Sequence, residues 1–170
     1  PATAPAPPAG RLAGPSLLGI DLPPIMPLLQ TAWRTLTSTL VRVGEMKTVA
    51  AGRYELDFQK GSLSKDALVT ITDYDSDILD VELGPSGTQF DEPVLLSVDF
   101  SGTAADPGVA AYDQREPAIF WLNEKTNRWE EVPSTTDWSR HRIEARLKHF
   151  SRYVVGGKAG WKGQPSRADD

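Results

Sequence analysis

The sequence predicts an all-β fold, an antiparallel β-sandwich of about seven or eight strands, preceded by an extended arm and one short helix. Three observations carry this. From about Thr48 to Gly156 the apolar residues recur with a period of two. Polar turn clusters, "KGSLSKD", "GPSGTQFDEP" and "PSTTDWSR", interrupt that rhythm at the spacing of short strands. Before it, "PLLQTAWRTLTSTLVRV" carries a different, helical spacing.

The arm comes first. "PATAPAPPAG" is rich in Pro and Ala, offers no side chain to bury and forms a semi-extended tether. "GPSLLGIDLPP" follows, with Leu17, Leu18, Ile20 and Leu22 broken by Gly and Pro, so it cannot continue as a helix. As an extended segment it either packs on its own domain or docks on another protein. The arm is placed at 1–24, the helix and connector at 25–46, the sandwich at 47–156 and a tail at 157–170. Leu29, Trp33, Leu36, Leu40 and Val43 advance by four, three, four and three, one helical stripe, with Pro27 suited to the first turn. Thr31, Thr35, Thr37, Ser38 and Thr39 fill the other face and weaken a helix, and an extended strand is the rival for "TSTLVRV".

The strands follow in order. "YELDF" sets Tyr54, Leu56 and Phe58 against Glu55 and Asp57, and "ALVTITDY" sets Val69 and Ile71 against Thr70 and Thr72. "PVLLSVDF" turns Val94, Leu96, Val98 and Phe100 one way. "PAIFWLN" and "RWEEV" flank "EKTN", a hairpin connection that puts Trp121 and Trp129 on one sheet. "HRIEARL" faces Ile143, Ala145 and Leu147 inward, and "RYVVG" closes the set. Alternation of this kind demands one buried and one wet face per sheet. The tail "GKAGWKGQPSRADD" has no period.

Composition narrows the function. A formal net charge of −5, with Lys and Arg scattered, excludes the concentrated basic face of a nucleic-acid binder. The absence of Cys excludes disulfides, thiolate catalysis and Cys-based zinc sites. The chain opens on Pro1 rather than Met, the expectation being a mature product whose export signal has been removed. No run of 18 uncharged apolar residues supports an ordinary transmembrane helix, and Arg34 leaves at most an interfacial contact with a membrane.

Candidate chemistry is thin. His149 and Ser151, two apart, would share a strand face, yet a serine nucleophile also needs an orienting group and an oxyanion hole. "GPSG" at Gly84 to Gly87 lacks the residue between Ser and the second Gly that a nucleophile elbow has. His149 is expected to continue the inward series with its ring bonded to backbone, and His141, beside Arg140 and Arg142, to be exposed. "DYDSDILDVE" crowds Asp73, Asp75, Asp77, Asp80 and Glu82 into a short span, as calcium would require, but Ile78 stands where an EF-hand loop needs Gly. Asp73, Asp75 and Asp77 are therefore a weak calcium candidate beside the reading of a solvated strand edge. Trp138, in a turn, is the platform a carbohydrate would need, and Trp33 is expected to touch either its own sandwich or a partner.

The run "AAGRYELDFQKGSLSKDALVTITDYD" resembles the ZU5-type β-sandwich, with an Ig-like layout, through the strand Tyr54 to Phe58, the turn Lys60 to Leu63 and the strand opening Val69 to Ile71. "LGPSGTQFDEPVLLSVDF", "AIFWLNEKTNRWEEVPS" and "LKHFSRYVVGGKAGW" are similar to segments that follow in bacterial exported proteins bearing such modules. Lys60 stands where the family usually has Pro. The resemblance, over about Thr48 to Trp161, implies structural or protein-binding work and no enzyme. The expectation is an extracytoplasmic module without cofactor, periplasmic or at the cell surface, free of small-molecule substrate and bound to protein partners. It would brace a larger envelope or membrane-associated assembly, respiratory or photosynthetic among them, or serve a lipoprotein-like role. Its contact residues would be Leu17, Leu18, Ile20, Leu22, Leu29, Trp33, Leu36 and Leu40.

Overall fold

The computed structural model describes residues 33–74, 79–110, 112 and 115–158, with only the backbone at 33–35 and 74. The strands are β1 (Trp33–Val41), β2 (Lys47–Ala51), β3 (Tyr54–Phe58), β4 (Ala67–Tyr74), β5 (Asp80–Gly84) and β6 (Gln89–Asp99), then β7 (Pro117–Asn123), β8 (Arg128–Val132), β9 (Ser134–Asp137), β10 (Arg142–His149) and β11 (Arg152–Gly157). They form a six-stranded sheet, β1-β4-β5-β11-β7-β8, and a five-stranded sheet, β2-β3-β6-β10-β9. Every pairing in both sheets is antiparallel. The predicted sandwich is the fold, built from more strands than the alternation revealed.

The core is the set of inward residues that the period of two picks out. Leu56, Val69, Ile71, Val94, Leu96 and Ile143 are 0% exposed, and residues of both sheets join one apolar cluster. Burying a side chain of this size contributes about 1.5–3 kcal/mol. Phe58, Phe90 and Phe150 meet edge to face at centroid distances of 4.8–6.2 Å and close one end. The turn with Lys60 in place of Pro is held without that ring. Ser62 N–H donates to the Gln59 carbonyl (3.0 Å), the Ser62 hydroxyl accepts from Gln59 N–H (2.9 Å), and Gly61 sits at φ 123°.

The helix expected over 25–46 is not there in the described part: Trp33–Val41 is an edge strand paired with β4 from Trp33↔Tyr74 to Val41↔Ala67. The β-branched residues Thr35, Thr37, Thr39 and Val41 favour the pleated conformation, and a partner strand fixes it. The helical stripe was a coincidence of spacing. A register shift between Thr35 and Thr37 lets Leu36 pack on the core, while Leu40 points outward at 43% exposure.

The hairpin of β7 and β8 turns through Asn127 at φ 50°, with Lys125 N–H donating to the Asn123 side-chain carbonyl at 3.0 Å. Its tryptophans do not share a face. Trp129 lies opposite Leu122 and Trp121 opposite Glu130, so adjacent register positions send them to opposite sides of the sheet. Trp121 packs against the core, whereas Trp129 joins Ala118, Phe120, Val154 and Leu122 in a second cluster on the outer side.

Candidate functional site

The pair at the end of β10 is spent on structure. His149 is half-buried, its ring edge-on to Trp121 at 4.6 Å and stacked near Tyr153 at 6.4 Å, with Nδ1 3.4 Å from the Phe150 carbonyl. The Ser151 hydroxyl donates instead to the Leu122 carbonyl at 3.3 Å, across to β7. Tyr153 donates its hydroxyl to the His149 carbonyl at 2.6 Å, and burial pushes that phenol well above its ordinary range. A serine nucleophile needs its hydroxyl aimed at a base; here the hydroxyl is tied to a main-chain oxygen.

The acidic run divides. Asp75 and Asp77 lie outside the described residues, and Asp73 sits in β4 opposite Val81 and Arg34. Asp80 is taken: Arg152 grips it with two parallel bonds, Nε to Oδ1 at 2.9 Å and Nη2 to Oδ2 at 2.5 Å. The same guanidinium lies 5.7 Å over the Trp129 ring, joining β5, β8 and β11 on the outer face. Among the described residues, no group of three or more His, Asp or Glu is placed to hold a metal ion.

Asp106 organises the β6–β7 connection. Its carboxylate accepts from Gly102 N–H and Gly108 N–H, both at 2.7 Å, with His141 Nε2 3.5 Å away. The Gly102 N–H first, then that of Gly108 and the His141 ring, hold this carboxyl below its usual range, against the opposing effect of burial. His141 is half-exposed at φ 53°, and Trp138 is edge-on to Phe100 at 5.8 Å rather than a free platform.

Among the described residues, two surface features stand out. Leu40 and Leu68 are directly opposite each other in the β1–β4 register and are 43% and 55% exposed. Val43 and Met46, in the turn after β1, are also exposed, and Val43 N–H donates to Asp66 at 2.8 Å, just before β4. Of the residues expected to bind a partner, Leu40 is thus on the surface and Leu36 is half-buried against the core. Only the backbone of Trp33 is described, and Leu17, Leu18, Ile20, Leu22 and Leu29 lie outside the described residues.

The second surface was not visible in the sequence. A groove of about 810 Å³ opens where β8 and β10 diverge, with Trp121, Val132, Leu147, His149 and Tyr153 among its walls. Val132 pairs with Ile119 in one sheet and Ser134 with Ala145 in the other, so the chain changes sheets at Pro133 and parts the layers there. A lone Pro between two short polar strands was the available clue.

The described residues define an antiparallel β-sandwich. The chain matches no protein-family model and no curated protein.

Proposed function

We propose that this chain is a non-enzymatic, ZU5-like structural and protein-interaction module that works outside the cytoplasm, bracing a larger envelope or membrane-associated assembly. The observation that carries the reading is the exposed apolar pair Leu40 and Leu68, extended by Val43 and Met46. Apolar side chains clustered on a sheet face commonly mark a contact surface. The fate of His149 and Ser151 supports the absence of hydrolase chemistry, because hydroxyl and ring have separate structural partners. The calcium or carbohydrate alternative is weaker, since Asp80 is committed to Arg152 and Trp138 to Phe100.

A photo-crosslinking residue at position 68 tests it in the native cell. The expected result is one discrete protein adduct in the envelope fraction, lost when Leu40 and Val43 are changed to Ser and missing when the crosslinker replaces the exposed Glu124. No adduct at position 68, together with ester turnover that disappears in His149→Ala, would reverse the reading.

A further inference from the structure

The apolar face at Leu40 and Leu68 has a hollow beside it and an uneven set of charges around it. Leu68 also lines a pocket of about 520 Å³, formed by the turn that leads into β4 and the turn that follows β5. Lys65, Ser64 and Ser86 stand in its wall, with Leu63 and Pro85 as its apolar part. Asp66 lines it too and accepts from Val43 N–H at 2.8 Å, which ties the exposed turn after β1 to the pocket. Arg42, Lys47 and Lys65 are set here against Glu45 and Asp66, a positive excess in a chain whose net charge is −5. Both carboxylates have partners within the fold. Glu45 accepts from Arg42 N–H at 3.0 Å and pairs with Lys47 at 3.5 Å, while Asp66 holds Val43. The side chains of Arg42 and Lys65 are exposed and belong to no ion pair among the described residues.

We propose that the partner meets this face with an acidic, apolar-rich segment of protein, whose apolar side chains cover Leu40 and Leu68 and whose carboxylate enters the pocket beside Lys65. The inference rests on the reading of Leu40 and Leu68 as a protein contact and adds the chemistry of the partner. Arg42 follows Val41 and Lys65 precedes Ala67, and the Val41↔Ala67 pair is one register step from Leu40↔Leu68. Both unpaired cations therefore stand at one end of the apolar pair, and the partner's acids belong at that end. In the pocket the Lys65 ammonium and the Ser64 and Ser86 hydroxyls are donors, and a carboxylate offers only acceptors. Complementary charge of this kind fixes the register of a segment and speeds its arrival. A side chain seated in a pocket is the usual anchor of a protein contact. A bilayer presents no shaped group to a pocket, and a net charge of −5 opposes adsorption to an anionic one.

The test uses the full chain with the photo-crosslinking residue at position 68 in the native cell. Mass spectrometry of the adduct should find the crosslink in a partner peptide that carries Asp or Glu beside its apolar residues. The double variant Arg42→Glu/Lys65→Glu, changed at exposed positions only, should lower the adduct about tenfold or more. Changing the partner's acids to Lys should restore the adduct with that variant. If the Glu variant melts early, Arg42→Gln/Lys65→Gln must still lose adduct. A crosslinked peptide without acids, equal adduct from the parent and the charge-changed variants, or no restoration by the partner's Lys residues overturns the proposal and leaves the contact itself standing. No adduct from the parent overturns both. An adduct with a second copy of this chain would assign the face to self-association. Binding of the purified chain to phosphatidylglycerol vesicles that the Glu variant loses would assign it to a bilayer; either result also overturns the proposal.

Discussion

Replacing Arg152 by Ala removes a guanidinium that makes two bonds to Asp80 and covers Trp129, and the structure sets the size of the effect. Two unit charges at about 4 Å attract by roughly 4 kcal/mol at an effective dielectric near 20. Desolvation takes back a large part, since the Asp80 side chain is 11% exposed, and Arg152, at 34%, is partly screened by solvent. The net coupling between the two should be about 2 kcal/mol. Arg152→Ala should cost about 3 kcal/mol, because it strands a nearly buried carboxylate and uncovers the indole. Asp80→Ala should cost less, about 2 kcal/mol, as Arg152 keeps its place over Trp129 and can reach water. At about 2–4 °C per kcal/mol for a chain of this size, Arg152→Ala lowers Tm by roughly 6–12 °C. Urea melts of the two single variants and the double variant give the coupling directly. A coupling under about 0.5 kcal/mol, or a larger loss for Asp80→Ala than for Arg152→Ala, would refute this reasoning.

Two further outcomes follow from single contacts. The Asp106 carboxyl is held below its ordinary range in the folded chain, so its stabilising effect is fully present above the unfolded value near 4 and is lost as pH falls through the lower folded value. Asp106→Asn, which keeps the shape and loses the charge, should cost about 1.5 kcal/mol at pH 7. The gap between its Tm and that of the parent should hold from pH 7 down to about 4 and narrow as pH falls further, and a gap that stays constant on acidification below about 4 would contradict the assignment. Gly84 lies opposite Thr70, and a Cβ added to it would stand 2.4 Å from the Thr70 hydroxyl oxygen. Gly84→Ala should therefore destabilise by about 1–3 kcal/mol in thermal melts, and much less in a Thr70→Ala background; equal losses in both backgrounds would exclude the clash as the cause.

The sandwich was legible wherever burial of one sheet face imposed a period of two. Tyr54, Leu56 and Phe58, or Ile143, Ala145 and Leu147, could be read directly because their neighbours are polar. Trp33–Val41 misled because a register shift changes which residues face inward, and the resulting leucine spacing imitates a helix. Only the pairing with β4 resolves that, and a pairing partner is not a local property. Asp80 and Arg152 are 72 residues apart, so no spacing rule joins them. Asp106 looked like any loop acid, since its value lies in the glycine amides that the backbone turns toward it. The groove depends on two consecutive strands, β8 and β9, entering different sheets, and both have the same short, polar character in sequence.

Photo-crosslinking from position 68 tests most directly the claim that the apolar face at Leu40 and Leu68 is a protein contact. The account predicts one discrete protein adduct, lost when Leu40 and Val43 are changed to Ser. No adduct at position 68, or the same adduct from the Leu40→Ser/Val43→Ser variant, would contradict it.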